Sequence, residues 1–130
     1  MKQIPDRLKG LLADETRAIA FLATLMPDGS PQVTPVWFNT EGDYLLVNSA
    51  KGRVKDRNMR ARPQVAVSIM AMDDLYEYLQ IRGEVVEIDE VNGAAHIHAL
   101  SQKYHGRPFQ IPHGQIRVIY KIKPYSLSRS

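Results

Sequence analysis

Arg17-Ala-Ile-Ala-Phe-Leu-Ala-Thr-Leu25, Gln32-Val33-Thr34-Pro35-Val36-Trp37-Phe38-Asn39 and Tyr44-Leu45-Leu46-Val47-Asn48 decide the fold of this chain, because only short turns separate them. Pro27-Asp28-Gly29-Ser30 joins the first two and Glu41-Gly42-Asp43 the last two. Gly accepts positive φ and Asp bonds its own backbone, so both links read as tight turns. Three apolar runs so joined predict an antiparallel meander. Pro31 and Pro35 remove two backbone donors from the second strand, which places it at a sheet edge or beside a displaced neighbour.

Further strands are expected over 64–70, 76–88 and 115–122, with a short edge over 125–128. Gly83 interrupts the fifth strand and marks a bend or bulge. Helices are expected over 4–15, where Ile4, Leu8, Leu11 and Leu12 share a face, over 51–62, ended by Pro63, and over 90–104. Residues 105–114 form a loop. Six strands with two to three helices predict a mainly β molecule, a small closed antiparallel barrel with helices at its ends. A ferredoxin-like sandwich fits less well, since three strands precede the first long helix.

The 130 residues fit a single domain, 1–130, and the 44% hydrophobic content supplies one core. No cysteine is present, which excludes disulfides, thiolate metal sites and a cysteine nucleophile. The first residues hold no apolar signal core, and no run has the length of a membrane span, so a cytoplasmic protein with no membrane partner is expected.

The net charge of +3 is local. Lys51, Arg53, Lys55, Arg57, Arg60 and Arg62 supply six of the 17 basic residues beside one acid, Asp56. A basic helix following a strand end, with Ser49 placed to cap it, reads as an anion pocket, most simply for phosphate. The bland reading of such a charge run is a solvated surface helix. Lys51, Lys55 and Asn58 fall on one face of it; Arg53, Arg57 and Arg60 fall on another. Nucleic acid is disfavoured as a partner, because no aromatic residues interleave with the run. Trp37, the only tryptophan, is read equally as core or as a stacking surface for a planar ligand.

The histidines lack metal spacing, so no metal site is expected. His96 and His98 point to different helix faces, and all four histidines read as surface or loop residues, with His105 or His113 the candidate for the border of a substrate pocket. Asp73 and Asp74 read as solvated turn carboxylates. Ser49 is not in a nucleophile elbow, and hydrolysis has no support.

The ordered set Gly29-Ser-Pro-Gln-Val-Thr-Pro-Val-Trp-Phe38, Asn48-Ser-Ala-Lys51, Lys55-Asp-Arg-Asn-Met-Arg60, Arg62-Pro-Gln-Val-Ala66 and Tyr78-Leu-Gln-Ile-Arg-Gly-Glu-Val85 resembles the pyridoxamine 5'-phosphate oxidase-like family. These are flavin and deazaflavin enzymes built on a six-stranded, FMN-binding split β-barrel. The similarity runs from about Leu11 to Pro124 and is nearest the branch that uses coenzyme F420. It implies a homodimer with two cofactor sites at the interface. By resemblance, Gln32, Thr34, Pro35 and Val36 line the ring. Asn48, Ser49, Ala50, Lys51, Arg53, Lys55 and Asn58 hold the phosphate-bearing tail. Tyr78 and Gln80 reach the cofactor from the partner subunit, or else form a polar outward face.

The late Trp and Arg motif of the true oxidases has no counterpart before Ser130, so vitamin B6 oxidation is not expected. The implied activity is hydride transfer between F420 and a small conjugated electrophile such as an enone or quinone, with Tyr78, Tyr104 or water as proton donor. FMN is the alternative cofactor. A non-catalytic flavin- or haem-binding module is the alternative function.

Overall fold

A computed structural model describes residues 9–129. The part of the first expected helix that falls on residues 4–8 lies outside the described residues. Of its remainder, Lys9 is helical, and two 3-10 turns follow, Gly10–Leu12 and Asp14–Thr16.

The strands are β1 (Ile19–Leu25), β2 (Pro31–Val36), β3 (Phe38–Glu41), β4 (Tyr44–Ala50), β5 (Gln64–Met70), β6 (Tyr78–Asp89) and β7 (Arg117–Arg129). Among the described residues, helix α1 (Val54–Ala61) follows β4 and helix α2 (Gly93–His105) follows β6. All strand pairs are antiparallel, in the order β2-β1-β5-β6-β7-β4-β3.

Among the described residues the expected six strands are therefore seven. What reads as one strand over 32–39 is cut at Trp37. Val36 pairs with Ala20 of β1, whereas Phe38 pairs with Val47 of β4. These partners lie at opposite ends of the sheet, yet β2 and β3 are joined by one residue. The sheet must curl to bring its ends together, and β2 and β3 do not pair among the described residues. The result is a half-barrel rather than a closed one. Both prolines sit on β2, an edge strand that pairs only with β1, so their missing donors cost no ladder bond.

Gly83 marks a bulge as expected. The β6–β7 register shifts between Arg82 and Gly83, and a Cβ on Gly83 would lie 2.5 Å from the Lys123 carbonyl oxygen. The segments expected as 115–122 and 125–128 are one continuous β7, with Pro124 opposite Gly83.

Leu22, Phe38, Leu45, Val67, Ile81 and Tyr120 are central to one apolar core inside the curl. In β4 every residue from Leu45 to Ala50 is buried, because α2 packs against β4 and β7. No described helix is long and apolar enough to cross a membrane.

Candidate functional site

Helix α1 begins at Val54, not at Lys51, and this changes which basic residues meet. Residues 51–53 form a turn closed by the Arg53 N–H donating to the Ala50 carbonyl at 3.3 Å. The helix N-cap is Arg53, with no side-chain cap bond. Ser49 does not cap it; its hydroxyl is buried with no hydrogen-bond partner among the described residues.

Asp56 fastens the turn. Its carboxylate accepts from the Gly52 N–H at 2.8 Å, from Arg60 Nε at 2.9 Å and from the Tyr120 hydroxyl. Burial opposes its ionisation, but these donors together hold its pKa below the ordinary carboxylate value. Lys51 and Arg60 both pair with Glu90, at 3.1 and 2.8 Å. Lys51 is thus grouped with Arg60, not with Lys55. Asn58 lies buried under the helix, donating to Thr24 Oγ1 at 3.0 Å and accepting from Arg62.

Lys55 and Arg53 point elsewhere. With Gln32, Thr34, Gly52, Val54 and Arg57 they line a cleft of about 410 Å³. They also line a larger, mostly apolar chamber of about 710 Å³, walled by Ile19, Pro35, Val36, Trp37, Ile97, Leu100, Tyr104 and Phe109. Of the residues expected at the cofactor, Gln32, Thr34, Pro35, Val36, Asn48, Arg53 and Lys55 line one or both of these spaces. Ser49, Ala50, Lys51 and Asn58 line neither. Tyr78 and Gln80, on β6, also line neither.

The chamber is built around Trp37. Tyr104 stacks on it with centroids 5.4 Å apart and planes at 9°, while His105 and Phe109 meet it edge-on at 5.1 and 6.1 Å. Trp37 is thus both part of an aromatic cluster and part of the chamber wall. The loop after α2 is anchored over this cluster, because the Phe109 N–H donates to His98 Nδ1 at 3.2 Å. Tyr104 turns its hydroxyl away to the Ala18 carbonyl at 2.8 Å, and burial pushes its pKa up to about 12. Arg17, at the far wall, is the only described non-glycine residue with positive φ, 54°.

Sequence reasoning missed two side chains here: Arg117, which lines the chamber, and His96, which meets Asn48 and does not line it. Arg117 is 6% exposed. Its Nε donates to Asn48 Oδ1 at 2.9 Å, its Nη1 donates to Gln115 at 2.9 Å, and its guanidinium lies 5.1 Å from the Phe109 ring. Asn48 in turn donates to the Gly93 carbonyl and meets His96 Nδ1, both at 3.0 Å. His96 is not a surface residue: it is 8% exposed, and its Nε2 meets Asn39 Oδ1 at 2.8 Å. Helical spacing carried a signal for it, since Gly93, His96, Ile97, Leu100 and Ser101 form the buried stripe of α2.

The electrostatics of this corner are one-sided. Lys55 makes one hydrogen bond, to Thr34 Oγ1 at 3.3 Å, and no ion pair among the described residues. Burial, then Arg53 and Arg117, hold its pKa below the ordinary lysine value. Burial and Arg53 likewise lower that of Arg117. Three cations crowd one corner with no carboxylate paired to any of them among the described residues. An anion placed there would relieve their repulsion.

The family model described as pyridoxamine 5'-phosphate oxidase matches residues 4–127. The chain belongs to this family. Within the pyridoxamine 5'-phosphate oxidase family it resembles the branch that uses F420: a solved F420 reductase is 35% identical, over 96% of this chain and 98% of that one, with TM-score 0.84. General Stress Protein 26 of Bacillus anthracis str. Sterne shares the fold at 20% identity and TM-score 0.68, covering 95% and 93% of the two chains. HupZ of Group A Streptococcus does so at 16% and 0.70, covering 98% and 94%. No curated protein matches the sequence.

A flavin or deazaflavin joins a planar ring to a phosphate-bearing tail. The donor set here fits such a group: an apolar, aromatic-walled chamber opens at Arg53 and Lys55 into a cleft of cationic side chains.

Proposed function

We propose that this protein is an oxidoreductase that binds F420 and passes hydride between it and a small conjugated electrophile, such as an enone or quinone. One observation carries the reading: the apolar chamber and the cationic cleft share Arg53 and Lys55. A ring in the chamber would thereby have its phosphate among the unpaired cations. The 35% identity to an F420 reductase is why F420 is proposed first, with FMN as the alternative cofactor.

When bound, the deazaflavin supplies the hydride donor and acceptor. The chain supplies binding and order. Lys55 offers a compact charge and Arg53 a fork of donors to phosphate oxygens. Pro35, Val36 and Trp37 present an apolar wall to a planar ring, and Leu100 and Phe109 keep water from the space beside it. Tyr104 holds its proton on the Ala18 carbonyl, so water or Tyr78 is the better proton source.

A homodimer belongs to this reading. Tyr78 and Gln80 line neither space in their own chain, so a role for them at the site requires a second copy. Light scattering of the purified protein tests this; a monomer that binds F420 tightly would remove both residues from the site.

The activity is tested by mixing enzyme and reduced F420 with a panel of enones and quinones, with reduced FMN in parallel. Turnover with F420 alone supports the proposal. Turnover with FMN alone reassigns the cofactor. Tight binding without turnover indicates a carrier module instead.

A further inference from the structure

The hydrogen-bond chain from Arg117 inward has a fixed direction. The Gly93 carbonyl can only accept and Arg117 Nε can only donate, so Asn48 must turn its amide nitrogen to Gly93 and its oxygen to Arg117. The same amide nitrogen then donates to His96 Nδ1, which must be unprotonated, leaving Nε2–H to donate to Asn39 Oδ1. Each group has one available orientation. The chain ends on a guanidinium that is buried, unpaired with any described carboxylate, and held on three sides by Asn48, Gln115 and Phe109. Its Nη2 makes no hydrogen bond among the described residues, and the residue lines the chamber. A cation fixed in this way is prepared for an electron-rich oxygen that comes from outside the chain.

On the cofactor reading the tail phosphate would sit in the cleft, which Lys55, Arg53 and Arg57 line and Arg117 does not. Arg117 lines only the chamber of the two, beside Asn48, Ile97 and Phe109. We propose that Arg117 binds a carbonyl oxygen on the edge of the cofactor ring, with Asn48 and His96 as positioning residues that set its guanidinium. This rests on the cofactor reading above, and it adds a ring-recognition group that the phosphate motif does not contain.

The test uses the full chain and three probes: F420, riboflavin, which has the ring and no phosphate, and inorganic phosphate. Affinities are read by fluorescence for the first two and by competition for the third. R117Q and R117M are each expected to weaken riboflavin about tenfold or more, as for loss of a charged hydrogen bond, and to weaken phosphate clearly less. Retained phosphate binding also reports that the variants are folded. H96L is expected to weaken riboflavin in the same direction, and H96Q, which keeps an acceptor and a donor, to restore it. Phosphate loss equal to or greater than riboflavin loss would overturn the proposal and make Arg117 a tail cation. Unchanged riboflavin affinity in both Arg117 variants would also overturn it. Wild-type protein that binds none of F420, FMN and riboflavin would overturn the cofactor reading itself, a different failure.

Discussion

Lys55 Nζ lies 3.3 Å from Thr34 Oγ1, a contact between α1 and the edge strand β2 that ties a residue lining both the chamber and the cleft to one lining the cleft alone. A half-buried ammonium with a single neutral partner is poorly compensated. The position makes sense as half of an ion pair whose other half arrives with a ligand.

Affinity for phosphate-bearing ligands should therefore fall as pH rises. The protonated Lys55 is the binding form, and burial together with Arg53 and Arg117 lowers its pKa from 10.5. The loss of affinity should set in at lower pH than an ordinary lysine would give. Titrations with FMN across alkaline pH, in wild type and K55R, check this; the arginine variant should hold its affinity where wild type loses it.

His96 should give the fold an acid-side weakness. Burial, then the Arg117 charge, lower its pKa from 6.5 to about 4. The unfolded chain takes up a proton between those values that the folded chain refuses. Stability is thus full above the unfolded value and is lost as pH falls toward 4, by about 1.4 kcal/mol per pH unit and about 3 kcal/mol in all. Urea midpoints at neutral pH and near the lower value should differ less in H96Q than in wild type. Equal pH dependence would contradict a buried neutral His96.

Asp56→Asn should destabilise the protein by about 2–4 kcal/mol, because it removes the charge that Tyr120, Gly52 and Arg60 converge on. Removing both ends with D56N and Y120F should cost less than the sum of the two single changes. A double-mutant cycle in urea reads the coupling.

Gly93→Ala should be among the most damaging small substitutions. An added Cβ would lie 1.8 Å from the Arg117 carbonyl oxygen, which belongs to backbone and cannot swing aside. The expected result is a lowered Tm together with weakened ring binding, since α2 and Arg117 must move apart. Gly10, whose added Cβ would meet nothing, is the control position, and G10A should leave both unchanged.

Most of the strand pattern was legible because it is local. Alternation in β1 and β5, the turns at Gly29 and Gly42, and the bulge at Gly83 each depend on neighbours in sequence. The break at Trp37 was not legible, because nothing in residues 32–39 says that the two halves pair with strands at opposite ends of a curled sheet. The site divided similarly. Lys55 and Arg53 stood out as a charge cluster near a strand end. Lys51 stands apart from them because the helix starts at Val54, three residues later than the sequence suggests, and Glu90, far along the chain, claims it instead. Arg117 gave no local sign, since its partners Asn48 and Phe109 come from other elements.

The most direct test of the account is a titration of wild type and K55A with F420, FMN and riboflavin, followed by fluorescence. The account predicts that wild type prefers F420, and that K55A loses about 1–3 kcal/mol of affinity for both phosphate-bearing ligands while riboflavin is little changed. Wild type that binds none of the three, or K55A that binds F420 as wild type does, would contradict a ring chamber and an anion cleft joined at Lys55.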